Sequence, residues 1–224
     1  MTAAAKKPPG FDTGRPFGSF VAATRRILLE PKGFFVDARR EESLAGPVVY
    51  TVVCHLLAVL LAGVYDFGRA VATGTLDGIS VVGYEGAAGA LLWVLWLLGL
   101  SVPYALVTLL VGAGVYHLLV LLFVGRRNGG FGATLRVTGY LSAVSLLLWL
   151  PVLGLLAGLW GVWINATGLG ELHSATRSRA VPAAVIPYLV ATAWAVFWVA
   201  SGQTTPAEFV LGGGTMFPRG NDLP

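Results

Sequence analysis

The chain has 224 residues, of which 56% are hydrophobic and only 12% are charged. A soluble domain of average composition carries about 25% charged residues, so an ordinary soluble domain is excluded. The formal net charge is +4, but the basic residues flank long apolar runs. This placement is typical of a membrane protein and argues against a nucleic-acid partner. The sequence therefore predicts an all-α, polytopic transmembrane helical bundle.

Residues 1–45 form the first predicted unit, a basic cytoplasmic segment. Five of its apolar residues fall roughly on one helical face, alongside Arg25 and Arg26. They are Phe17, Phe20, Val21, Ile27 and Leu28. This pattern predicts an amphipathic helix that either lies on the inner leaflet or packs on the bundle as a short cytoplasmic helix. The pattern alone does not decide between these two positions.

Residues 46–201 form the second predicted unit, the membrane bundle. A helix crosses a hydrocarbon layer of about 30 Å with roughly 17 to 25 apolar residues. The runs that meet this requirement are about 47–65, 103–124, 134–150, 151–168 and 182–201. Pro47, Pro151 and Pro182 stand at the start of apolar runs, and proline is favoured at a first helical position. The remaining residues, 202–224, form a glycine-rich tail that we expect to be flexible.

The apolar run from Ala87 to Val124 is too long for one simple span. As a single helix its 38 residues would extend about 57 Å. We therefore predict a short apolar helix at about 87–100, re-entrant or interfacial, followed by the span at 103–124. Two full spans joined at Ser101–Pro103 are the alternative, and they would reverse the sidedness of everything downstream.

The distribution of basic residues predicts the orientation of the bundle. Lysine and arginine concentrate before residue 46, near 125–136 and near 169–181, whereas the loop at 66–86 contains Arg69 as its one basic residue. The positive-inside rule places the three basic segments in the cytoplasm. The result is five crossings with the N-terminus inside and the C-terminus outside. The high alanine, glycine, leucine and valine content favours a bacterial inner membrane.

A glycine-rich loop, a tyrosine in the next span and a histidine in the following polar stretch occur in a characteristic order. They are Gly129, Gly130, Gly132, Tyr140 and His173. This order resembles the Yip domain family of Ypt- or Rab-GTPase-interacting polytopic membrane proteins, as a bacterial-type member. The resemblance covers about residues 30–200 and implies five spans with a cytoplasmic N-terminus. It implies vesicle trafficking for eukaryotic members and no defined activity for a bacterial-type one. The family often has proline where this chain has Val144.

Polar side chains inside the predicted spans are the candidate functional residues, because a bilayer makes their burial costly. Four of them fall at a similar depth near the cytoplasmic side: His55, His117, Tyr140 and Asn165. This polar layer either binds a proton, a metal or a lipid headgroup, or it consists of interhelical hydrogen bonds worth about 1 kcal/mol each. The second interpretation is favoured, since no intramembrane carboxylate accompanies the two histidines. We expect no metal and no cofactor.

The same sequence predicts how the bundle packs and what it does. A small-residue face for close helix contact is formed by Gly154, Gly158 and Gly161. It serves packing within the chain or a homo-oligomer seam. Because no nucleophile, base and carboxylate are suitably arranged, we expect no enzymatic or catalytic residues. The predicted function is a membrane scaffold or trafficking factor that recruits protein partners at its cytoplasmic face. The alternative is a small transporter or channel that uses His55, His117 and Tyr140.

Overall fold

Eight α-helices make up most of the chain that the computed structural model describes, residues 10–73, 80–81 and 84–201. They are α1 Pro16–Leu29, α2 Pro31–Ala38, α3 Ala45–Thr73, α4 Gly86–Phe123, α5 Gly130–Leu141, α6 Ser145–Leu148, α7 Pro151–Leu172 and α8 Arg177–Ala200. Two short strands, β1 Ser80–Val81 and β2 Tyr84–Glu85, pair antiparallel between α3 and α4. The predicted flexible tail lies outside the described residues.

Four helical segments within the described residues are long and apolar enough to cross a membrane. They are Ala45–Tyr65, Leu98–Phe123, Gly130–Leu148 and Val152–Leu172. They overlap the first four predicted spans. The fifth predicted span, about 182–201, falls on α8, which is not among these four. The helical bundle is therefore confirmed, and the fifth crossing stays a prediction.

Helix α4 runs from Gly86 to Phe123 without a break. This continuous helix shows that the prediction of a separate short helix at 87–100 is wrong. It also excludes the alternative turn at Ser101–Pro103. Proline removes one main-chain hydrogen bond from a helix interior. A turn at membrane depth would leave more backbone groups unpaired, so continuing the helix through Pro103 costs less. With 38 residues and a length of about 57 Å, α4 is longer than the hydrocarbon layer is thick.

The predicted span at 134–150 is interrupted. It consists of α5, a 3₁₀ turn at Ser142–Val144, and α6. The Ser145 hydroxyl donates to the carbonyl of Ser142 at 2.7 Å, a local bond that competes with regular helix geometry. The predicted turn before Pro151 is present, because Leu150 is extended and α7 begins at the proline. An extended residue before proline is the expected consequence of the ring's steric demand.

Helices α1 and α2 dock on the bundle. Ile27, Phe34 and Phe35 are fully buried in the main hydrophobic core, and α2 packs chiefly on α7. Phe17 and Val21 remain 82% and 50% exposed. The predicted apolar face of α1 is thus divided into one side that packs on the bundle and one side that is exposed.

Three basic segments meet at one end of the bundle, which we call the basic end. It comprises the N-terminal residues 10–44, the α4–α5 loop at 124–129 and residues 169–181 around the α7–α8 turn, which include Arg177 and Arg179. Arg39 pairs with Glu171 at 3.7 Å, and the Gly129 amide donates to His173 at 3.1 Å. These contacts join the segments directly. The three segments that the charge pattern predicts on one side of the membrane therefore lie together.

Candidate functional site

A buried tyrosine–carboxylate cluster fixes the N-terminal residues to the basic end. The Tyr140 hydroxyl donates to Glu41 Oε2 at 2.8 Å and accepts from the Phe11 amide at 3.2 Å. Arg136 Nη2 donates to the Glu41 carbonyl at 2.6 Å, and its Nε lies 3.9 Å from Glu41 Oε2. Burial raises the pKa of the Glu41 carboxyl, although Tyr140 and Arg136 oppose this shift. The cluster joins α5 to two segments that precede the first span.

Aromatic rings surround this cluster and connect four helices. The Tyr140 ring lies 4.8 Å from the ring of Phe34 and 5.4 Å from that of Tyr50, centroid to centroid. Phe20 of α1 lies 5.3 Å from Tyr50, whose hydroxyl hydrogen-bonds to Thr24 at 2.7 Å. Each such ring pair contributes about 0.5–1.5 kcal/mol beyond the area that it buries. The N-terminal segment is therefore an integral part of the folded core.

A hydrogen-bonded chain through two histidines joins α4, α5 and the end of α7. The Gly129 amide donates to His173 Nδ1, so a neutral His173 carries its proton on Nε2. Nε2 lies 3.1 Å from Thr134 Oγ1, which lies 3.0 Å from His117 Nδ1. The Thr134 hydroxyl accepts from His173 and donates its own proton to His117. Burial, and secondarily the nearby His117, lowers the pKa of His173 to about 4, which keeps this ring neutral.

The motif glycines fit this arrangement for two different reasons. A Cβ on Gly129 would lie 2.5 Å from the carbonyl oxygen of Leu172, so only glycine allows the loop to approach α7 this closely. Gly130 has φ +77°, a conformation that side chains disfavour. A Cβ on Gly132 would make only ordinary contact with Leu44. The sequence identified these glycines and His173, but not the hydrogen bond between Gly129 and His173.

The predicted polar layer is divided among separate partners. His55 Nδ1 lies 3.1 Å from the Thr51 carbonyl, and its ring packs against Tyr104. Asn165 is 1% exposed, and its amide approaches the Tyr116 hydroxyl without reaching hydrogen-bond geometry. His117 and Tyr140 belong to the two clusters above. Within the described residues, no hydrogen bond joins any two of the four predicted layer residues.

Two cavities are found in the part of the chain that the structure describes. One, of about 350 Å³, opens beside Phe11 and Glu41, and the other, of about 500 Å³, lies between α2, α7 and α8. Neither is lined by His55, His117 or Tyr140. Within the described part of the chain, no three histidine, cysteine, aspartate or glutamate side chains converge to hold a metal ion.

The predicted glycine face packs inside the chain. A Cβ on Gly154 would lie 2.6 Å from the Leu148 carbonyl oxygen, and one on Gly161 would lie 3.3 Å from Val144. A Cβ on Gly158 would reach Tyr188 of α8 at 4.0 Å. These contacts favour the intramolecular alternative over a homo-oligomer seam. Gly168, which was not assigned to this face, is packed as tightly, since a Cβ there would lie 2.8 Å from a Val137 methyl carbon.

Residues 25–199 match the family model of the Yip1 domain. Comparison with curated proteins and with solved structures gave no match. The matched range extends from within α1 to the end region of α8 and contains the histidine chain and most of the Tyr140 cluster. With four apolar helices capable of spanning a bilayer, the chain is a multi-pass integral membrane protein that belongs to the Yip1 domain family.

Proposed function

We propose that this chain is a membrane scaffold that recruits protein partners through its basic end. The observation that carries the proposal is the docking of the N-terminal segment, in which Phe34 and Phe35 are fully buried. A segment held in this way presents a pre-organised surface, and a pre-organised surface loses less conformational entropy when a partner binds.

The proposed topology follows from the charge pattern. The basic end faces the cytoplasm, α8 supplies a fifth crossing, and the C-terminus lies outside. We place the protein in a bacterial inner membrane, where a Yip1 domain protein would act in membrane organisation. The exposed groups at the basic end supply the recruiting surface, and they include Val36 on α2 and the pair Arg126 and Arg127 in the α4–α5 loop.

The contacts of the polar layer favour a scaffold over a transporter or channel. His117 is bonded to Thr134, and Tyr140 is bonded to Glu41 and is completely buried. His55 is engaged with its own helix and with Tyr104. Side chains that hold helices together in this way stabilise the packing, each by about 1 kcal/mol. Under the scaffold proposal, a His55→Leu, His117→Leu double variant leaves ion flux through reconstituted vesicles unchanged.

Co-purification in a mild detergent, followed by quantitative mass spectrometry, tests the proposal. We expect a protein partner to copurify with the wild type and with the histidine double variant, since that variant changes only the interior. Val36→Glu, at a position that is 43% exposed on α2, should reduce the recovered partner. Absence of any partner from the wild type, or a histidine-dependent flux, would contradict the scaffold.

A further inference from the structure

A groove of about 500 Å³ lies where the α1–α2 junction meets α7 and α8. Trp160 and Trp163 of α7 line one wall, and residues 29–33 line the opposite wall. The Trp160 Nε1–H donates to the carbonyl of Leu28 at 2.8 Å. This bond ties the end of α1 to α7 and fixes the width of the groove. The groove is therefore part of the docked structure and not a gap beside a loose arm.

Two basic side chains, Lys32 and Arg177, line this groove, and neither has an ion-pair partner in the part of the chain that the structure describes. The Arg177 guanidinium carbon lies 5.3 Å from the centroid of the Trp163 ring, and Lys32 lines the opposite wall. Within the described residues, no carboxylate lies within 4.0 Å of either cation. A guanidinium stacked on an aromatic face keeps its N–H edge available for a bidentate anion.

The remaining charges at the groove leave a positive balance. Glu171 lines the groove but is paired with Arg39 at 3.7 Å, and Glu30 is exposed at its edge. Counting Lys32, Arg39 and Arg177 against these two carboxylates gives three positive charges and two negative ones. The site therefore carries one net positive charge, and its two cations outside the Arg39–Glu171 ion pair are Lys32 and Arg177.

The groove also has an exposed apolar side. Trp160, Trp163 and Val181 are 44%, 42% and 39% exposed, and Leu29 at the opposite wall is 68% exposed. Trp160 and Trp163 belong to the apolar segment Val152–Leu172, whereas Arg177 follows it. Arg177 lies beyond the end of this apolar segment and Lys32 lies before the first one, so the groove combines basic side chains with a partly exposed apolar wall. A molecule bound in the groove would therefore contact basic side chains at one end and an apolar wall along its side.

We propose that this groove binds one anionic phospholipid of the surrounding membrane. Its phosphate lies between Lys32 and Arg177, and an acyl chain follows Trp160 and Val181. Basic pockets between transmembrane helices bind anionic headgroups in this manner. The apolar wall selects a lipid over free phosphate. The proposal is independent of the scaffold role, because it needs no protein partner.

Native mass spectrometry of the full chain in detergent, titrated with phosphatidylglycerol or phosphatidylcholine, tests the proposal. We expect phosphatidylglycerol to bind more tightly. The Lys32→Gln, Arg177→Gln double variant should weaken phosphatidylglycerol binding by about 30-fold, from the contribution of two interfacial cations. The matched control is Arg126→Gln, Arg127→Gln, which removes the same charge from exposed positions of the basic end and should leave binding nearly unchanged.

Three results would overturn the proposal. Equal losses in the two double variants would indicate a diffuse field and no defined site. Inorganic phosphate that competes as well as the lipid would indicate a bare anion site. Equal binding of phosphatidylglycerol and phosphatidylcholine would show that the headgroup charge does not contribute to binding. Trp163→Leu supplies an independent check, since loss of the stacked face should weaken phosphatidylglycerol binding severalfold while Trp163→Phe retains most of it.

Discussion

Acidification should destabilise the bundle through His173. This ring is 2% exposed, and its Nδ1 accepts the Gly129 amide, so a proton on Nδ1 would break that bond. The pKa of His173 in the folded protein, about 4, lies below the reference value of 6.5. The contribution of the neutral His173 ring to the free energy of unfolding is therefore complete above pH 6.5 and is lost as the pH falls toward 4. At about pH 5 the loss is about 2 kcal/mol, since each pKa unit corresponds to about 1.36 kcal/mol.

The matched variant is His173→Gln, whose side-chain oxygen can still accept the Gly129 amide but cannot be protonated. Thermal unfolding in detergent, followed by tryptophan fluorescence, measures the effect at about pH 7.5 and about pH 5. The wild type should lose about 4–8 °C more in Tm than the variant does. His55→Gln is the control and should retain the wild-type response, because it leaves the His173 contacts in place. Equal losses in the wild type and His173→Gln would refute the reasoning.

Three further predictions concern the Tyr140 cluster and the glycine contacts. Tyr140→Phe should weaken the docking of the N-terminal segment by about 1–3 kcal/mol and speed tryptic cleavage of that segment. The control Tyr104→Phe, at a 62% exposed position, should change neither the docking nor the cleavage. Gly168→Ala should lower the free energy of unfolding by about 1–3 kcal/mol, because the new Cβ would lie 2.8 Å from a Val137 methyl carbon. The control Gly114→Ala should be tolerated, since its Cβ would meet no atom within 4 Å. Because burial raises the pKa of Glu41, the stability of the wild type relative to Glu41→Gln should fall as the pH rises above 4.5 toward that raised pKa. A difference in Tm that does not change with pH would contradict the role of Glu41.

Much of the bundle could be predicted from local signals. Apolar runs of sufficient length indicated the spans, and Pro151 indicated where one helix ends and the next begins. The course of α4 could not be predicted in this way. Its continuity through Pro103 depends on the cost of unpaired backbone at membrane depth, and a proline in the sequence does not reveal whether neighbouring helices tolerate a continuous helix.

The site was only partly visible in the sequence. His117 and Tyr140 stood out because polar groups in apolar runs are costly to bury. Their partners did not, since Glu41 lies in a loop where a carboxylate is ordinary and Thr134 resembles any helical threonine. Arg136 did carry a signal, as a charge at the start of an apolar run. Linking these residues requires the tertiary structure.

Photo-crosslinking in living cells tests the scaffold most directly. A photoreactive amino acid at position 36, on the exposed surface of α2, should yield discrete protein adducts. The same group at position 110 of α4, where the leucine is 55% exposed within an apolar span, should yield lipid adducts alone. Lipid adducts alone at position 36 would contradict recruitment of proteins through the basic end.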